Sequence, residues 1–177
     1  VYYEAYRILK LREPENTIHI HVTYFPNPAH INEPKSKPTQ LSVRMLNGMG
    51  IQPDFIVGRA EVAIDDKRKE KVAYYCNLNP EDVISNPDAD TIYHIPVIFE
   101  EQGFDTKVLK KLNLPTTTKA DLKSWQSLIN RVTSPKKKKV TIGIIAKYIT
   151  TGDYELKDSY HSLIESLYHG GWYHSQD

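Results

Sequence analysis

The chain has 177 residues, enough to bury the core of one to one and a half domains. With 25% charged residues, 40% hydrophobic residues and a net charge of +1, its composition is globular and gives no general pull toward nucleic acid or a membrane surface. No apolar run reaches bilayer-spanning length, no signal peptide is visible, and the single cysteine, Cys76, excludes an intrachain disulfide and fits a reducing compartment.

Val1 is not a start methionine, and Tyr2, Ala5, Tyr6 and Leu9 recur at helical spacing, so the expectation is a helix over residues 2–11 and a chain that belongs to something longer. Residues 17–23 read as a strand, with β-branched residues on one face and His19, His21 and Thr23 on the other. A proline-rich loop (Pro26, Pro28, Pro34) leads to a helix expected from about Thr39 to Gly48 and Gly50. Residues 53–58 read as a short, fully buried strand. Asp65 or Asp66 caps a charged helix that runs to Cys76, residues 83–85 form another strand, and residues 86–90 a polar loop. Strand, helix, strand, helix, strand is the rhythm of a parallel α/β sheet, whose ligands sit beyond the carboxyl ends of the strands.

After Leu114 and Pro115 the pattern changes. Leu122, Trp125, Leu128, Ile129 and Val132 make one helical stripe, and residues 134–139 interrupt it with four consecutive lysines, read as a solvated hinge. Residues 140–146 read as a buried strand. Tyr160, Leu163, Ile164, Leu167 and Tyr168 predict a second amphipathic helix, stopped by Gly170 and Gly171. The expected division is therefore 1–115, a linker with a basic hinge over 116–139, and the opening of another domain over 140–177.

The run Lys35-Ser36-Lys37-Pro38-Thr39-Gln40 carries the most chemistry. Two ammonium groups, a hydroxyl and the free backbone N–H groups of a helix N-terminus converge there, which is what a polyphosphate needs. The same residues also fit an ordinary basic turn capped by Thr39. This run, Arg59 and the 86–90 loop all follow strands, so all three are expected to face one crevice. Other clusters read more plainly. His19 and His21 lack a third ligand nearby and read as a half-buried polar face, Glu100 and Glu101 as a helix end, and the mixed charges of residues 65–70 as a salt-bridged helix surface.

The 35–40 run resembles the Lys-Thr-Lys-Pro-Thr-Gln signature of the CTP synthase family, with Ser36 in place of the first threonine. The stretch Gly50-Ile51-Gln52-Pro53-Asp54 and Arg59 are similar to a second family stretch, with Gly58 replacing its cysteine. Residues 71–77, Ile92-Tyr93, Ile95-Pro96 and Glu100-Glu101-Gln102-Gly103 follow in the family's order, and residues 140–148 and 158–170 resemble the first strand and helix of its glutaminase domain.

The resemblance implies ATP-dependent amination of UTP to CTP in de novo pyrimidine synthesis, with ammonia taken from glutamine. It implies that Lys35, Ser36, Lys37, Pro38, Thr39, Gln40 and Lys71 bind UTP, or CTP as feedback inhibitor, and that Arg59, Asp88, Ala89 and Asp90 lie against ATP. It further implies a dethiobiotin-synthetase-like P-loop domain ending near residue 115, followed by the start of a class I glutamine amidotransferase domain. The remaining implications are magnesium held with ATP by ligands outside these residues, a cytoplasmic homotetramer (a dimer of dimers) with the UTP site at a subunit interface, and no nucleic-acid or membrane partner. No G-x-x-x-x-G-K-[ST] run occurs, so the chain by itself is expected to be inactive, and Cys76 is not expected to be the glutaminase nucleophile. A nucleotide-sensing or assembly module and a related P-loop ligase are the competing functions.

Overall fold

β-Branched and aromatic runs build a parallel three-stranded sheet in the order β1 (Ile20–Tyr24), β2 (Phe55–Ala60), β3 (Val83–Pro87). The computed structural model describes residues 1–28, 30, 33–117, 119–134, 138–147, 150–151, 154–155 and 157–175. The register pairs Ile20 with Phe55 and Val57 with Ile84. Helices α2 (Lys37–Gly48) and α3 (Asp66–Cys76) cover one sheet face, burying Phe25, Val43, Ile56, Val72, Ala73 and Val83. Helices α4 (Ile95–Glu101) and α5 (Phe104–Lys111) serve the other, where Phe55, Val57, Ile84 and Phe104 form a second cluster. The chain from Val1 to Asp121 is thus one compact α/β unit.

Local chemistry explains the boundaries. Helix α1 spans Tyr2–Arg12, as its periodicity predicts. Pro38 sits in the first turn of α2, where its missing N–H costs nothing. The Asp65 side chain accepts from the Arg68 amide at 2.8 Å and caps α3, and Asn77 ends that helix in the left-handed conformation. Gly103, at φ +63°, lets the chain turn from α4 into α5. The Gln102 side chain then completes the open edge of β3: it accepts from the Ser85 amide at 2.9 Å and donates to the Ser85 carbonyl at 2.8 Å.

Strand β1 carries the half-buried polar face that the sequence predicts, and it leaves its apolar face exposed. Ile20, Val22 and Tyr24 are exposed, whereas His21 and Thr23 are half-buried. The cause is the hydroxyls that α2 presents: Ser42 lies 2.8 Å from His21 Nε2, and Thr39 Oγ1 lies 3.1 Å from Thr23 Oγ1. Polar groups with partners tolerate this burial, and the second apolar cluster covers only β2 and β3.

Leu122–Asp177 is the second unit. Its helices are α6 (Lys123–Thr133) and α7 (His161–Tyr173), with a two-stranded antiparallel pair, β4 (Thr150–Thr151) and β5 (Tyr154–Glu155). The stripe that predicts α6 is correct, and Ile129 is its buried member. Helix α7 runs through Gly170 and Gly171 to Tyr173, so the glycines lower helix propensity without ending the helix. Residues 140–146 are not the buried strand that their apolar run predicts. Val140, Ile142 and Ile145 are exposed, and no strand pairs with this segment among the described residues. β-Branched residues favour an extended backbone, but a strand needs a neighbouring ladder to be fixed and buried. Residues 135–137 of the expected basic hinge lie outside the described residues.

Candidate functional site

Two helix N-termini meet beyond the carboxyl ends of β1 and β2. The chain leaves β1, passes Phe25, whose amide donates to the Arg59 carbonyl at 2.7 Å, and returns at Lys35, whose amide donates to the Pro26 carbonyl at 2.8 Å. This brings the start of α2 beside the start of α3. A cavity of about 460 Å³ opens between them, lined by Glu33, Pro34, Lys35, Ser36, Lys37, Lys67, Arg68 and Lys71. Five of these eight lining residues are cationic and one is anionic. Amides in the first turn of a helix have no intrahelical acceptor, and the dipole favours negative charge there. The Ser36 hydroxyl does not cap α2; it accepts from Gln40 Nε2 at 3.1 Å instead. The arrangement suits a ligand carrying several phosphate charges.

Sequence-predicted residues divide here by role. Lys35, Ser36, Lys37 and Lys71 line the cavity. Pro38, Thr39 and Gln40 do not: Thr39 and Gln40 are buried beneath it, continuing the face of α2 that holds Val43 and Leu46. Lys67 and Arg68 were read as helix surface yet line the cavity. The signal that finds them is their position at the second and third residues of α3, one turn before Lys71 on the same side of the helix.

Glu33 bridges the cluster. One carboxylate oxygen lies 3.0 Å from Lys35 Nζ, and the other lies 3.0 Å from an Arg68 Nη. The hydrogen bond from Lys35, with the Lys35 charge and then Arg68 adding to it, holds the Glu33 carboxyl below the usual carboxylate range. Arg68 also pairs with Asp65 and donates from Nε to the Pro34 carbonyl at 3.3 Å.

Of the three segments that follow strands, only the 35–40 run lines this cavity. Arg59 belongs to a second cavity of about 490 Å³, lined by Arg59, Asn86, Pro87, Asp88, Ala89, Thr91, Ile92 and Ile95. It shares no lining residue with the first. Both cavities lie beyond the carboxyl end of the sheet, the second where β2 and β3 end, and the Phe25 amide ties the ends of β1 and β2 together through the Arg59 carbonyl. Arg59 lies 3.5 Å from Asp88, both well exposed, and Asp90 is not among the lining residues. The Asn86 amide oxygen is buried there with no hydrogen-bond partner among the described residues.

Gly58 explains itself. A Cβ on it would lie 2.6 Å from Phe25 Cε2 and would also meet Ile64 Cδ1, so these two side chains occupy the space a cysteine needs. Cys76 is buried, and burial pushes its thiol up to about 11, against the weaker opposing pull of Arg44; such a thiol is a poor nucleophile. Among the described residues no three His, Cys, Asp or Glu side chains converge. Among the same residues no helix is long and apolar enough to cross a membrane.

A parallel α/β unit with a polycationic cavity at paired helix N-termini has the chemistry to attract an anionic ligand. Residues 1–114 match the family described as CTP synthase N-terminus. The chain is 46% identical over 158 residues to a CTP synthase of Azospirillum brasilense, covering 89% of this chain and 28% of that protein. It is 45% identical over 157 residues to one from Methanococcus maripaludis, again covering 89% and 28%. A CTP synthase of Methanocaldococcus jannaschii is 42% identical over 172 residues, covering 92% of this chain and 31% of its own length. The chain belongs to the CTP synthase family. It spans about three tenths of the length of the curated relatives it matches.

Proposed function

We propose that this chain contributes the pyrimidine-nucleotide site of a glutamine-dependent CTP synthase, a C–N ligase of the cytoplasm. In that reaction ATP phosphorylates the uracil O4 of UTP, and ammonia released from glutamine displaces the phosphate. One observation carries the reading: five cationic side chains and two helix N-termini surround one cavity at the carboxyl ends of parallel strands. Lys35, Lys37 and Lys71 neutralise the triphosphate of UTP, or of CTP acting as feedback inhibitor. The Ser36 hydroxyl donates to the same group, while Thr39 and Gln40 hold the α2 N-terminus from below and Pro38 pre-sets its first turn.

The second cavity is the ATP surface in this proposal. The planar Arg59 side chain stacks on adenine. Asp88, Ala89 and Asp90 flank it in the loop that follows β3. The carboxylates that would hold the magnesium of ATP are expected outside these residues. Residues 1–115 would be the later part of a dethiobiotin-synthetase-like P-loop domain, residues 116–139 a linker, and residues 140–177 the opening of the glutaminase domain. The working form is a homotetramer whose UTP site a neighbouring subunit completes, and the chain by itself does not catalyse the reaction.

Glutamine-dependent conversion of UTP to CTP by the complete polypeptide, with ATP and magnesium, tests this. The expected result is conversion that Lys37→Ala abolishes. Absence of conversion in the unaltered enzyme, with UTP and CTP still bound, would replace the reading with a sensing or assembly module.

A further inference from the structure

The cavity already holds a carboxylate where a phosphate would sit. Glu33 directs one oxygen to Lys35 and the other to Arg68, each at 3.0 Å, so it spans two cations as the oxygens of a phosphate group would. Its side chain is half exposed, which leaves it able to swing away. The other carboxylate on Arg68 is differently placed: Asp65 is committed to the α3 cap through the Arg68 amide. Arg68 itself is the least exposed member of both its ion pairs, and the Pro34 carbonyl anchors its Nε. A fixed guanidinium with a displaceable anion on it is a binding group held in reserve.

We propose that Glu33 is an internal counter-anion that an incoming polyphosphate displaces, and that Arg68, once released, becomes an additional phosphate ligand of the cavity. The inference rests on the reading of this cavity as a nucleotide-phosphate site and names two residues that set its affinity. A glutamate carboxyl is ionised at neutral pH, so the competition persists there. The exchange is charge for charge: the ligand gains Lys35 and Arg68 together and gives Glu33 to water. Polyphosphates able to reach both cations are favoured over a lone phosphate, which must break the same two contacts for fewer charges.

Calorimetric titration of the complete protein with inorganic tripolyphosphate, and separately with UTP, tests this. Glu33→Gln is expected to tighten both roughly two- to fivefold, the range of a partly exposed ion pair. Arg68→Gln is expected to weaken both by a similar factor, and Arg68→Lys, which keeps the charge, to recover most of that loss. In the double variant the gain from Glu33→Gln should shrink by at least half, because Lys35 alone remains to be freed. Unchanged or weaker binding in Glu33→Gln overturns the proposal, as does a gain that is fully additive with Arg68→Gln. Circular dichroism of each variant separates lost binding from lost folding, and Glu33→Gln alone remains decisive if Arg68→Gln does not fold. Absence of tripolyphosphate and UTP binding in the unaltered protein would instead overturn the nucleotide reading of the cavity, and the counter-anion role with it.

Discussion

Two apolar segments of the chain meet opposite fates. Residues 55–60 have a glycine and an arginine in their midst, yet form the central strand of a sheet, with Phe55 and Ile56 fully buried. Residues 140–146 are as apolar, yet Val140, Ile142 and Ile145 stay exposed. The difference is partners. β2 has a hydrogen-bonded neighbour on each side and helices over both faces, whereas the later segment has no ladder among the described residues. Hydrophobicity proposes a strand; only pairing on its edges and cover on its faces fixes it.

The largest break in this comparison comes from emptying the centre. Phe55 is fully buried and meets Phe104 edge-on at 5.2 Å, so Phe55→Ala should destabilise the chain by about 3–5 kcal/mol. Chemical denaturation followed by circular dichroism reads that loss. Overfilling the same strand costs less. Gly58→Cys forces Phe25 and Ile64 aside, with an expected loss of about 1–3 kcal/mol in the same assay.

Acid should act on β1 next. Burial holds His19 below the ordinary His range, against an opposing pull from Asp54, and burial followed by the His19 charge holds His21 below it. The unfolded chain therefore takes up these protons first, so their contribution is complete above the unfolded value of 6.5 and is lost as pH falls below it. Thermal melts at falling pH should show this loss beginning near 6.5, and replacing both histidines with Gln should flatten it. The smallest effect lies in the exposed segment: Ile145 is fully exposed, and Ile145→Ala should change stability by less than about 0.5 kcal/mol.

Much of the first unit was legible because its signals are local. Periodicity, Pro38 near a helix start, Asp65 as a cap and short β-branched runs each fix one element. What the sequence hid was tertiary. The half-buried polar face of β1 was legible, but its hydroxyl partners on α2 were not, nor was the exclusion of a side chain at Gly58 by Phe25 and Ile64. The candidate site followed the same rule. Lys35 and Lys37 stood out through their run, and Lys71 through family resemblance. Lys67 and Arg68 looked like solvated helix surface until α2 and α3 were brought together. Thr39 and Gln40 belong to the buried stripe of α2, which their spacing to Val43 and Leu46 records.

The central claim is that the cavity between α2 and α3 takes the triphosphate of UTP and that the Arg59 cavity takes ATP. Calorimetric titration of the complete protein with UTP and with ATP, before and after Lys37→Ala, tests it most directly. The account predicts that UTP binding weakens about tenfold or more, as for a lost charge-assisted hydrogen bond, while ATP binding stays within about twofold. Equal weakening of both nucleotides would contradict the assignment of separate sites.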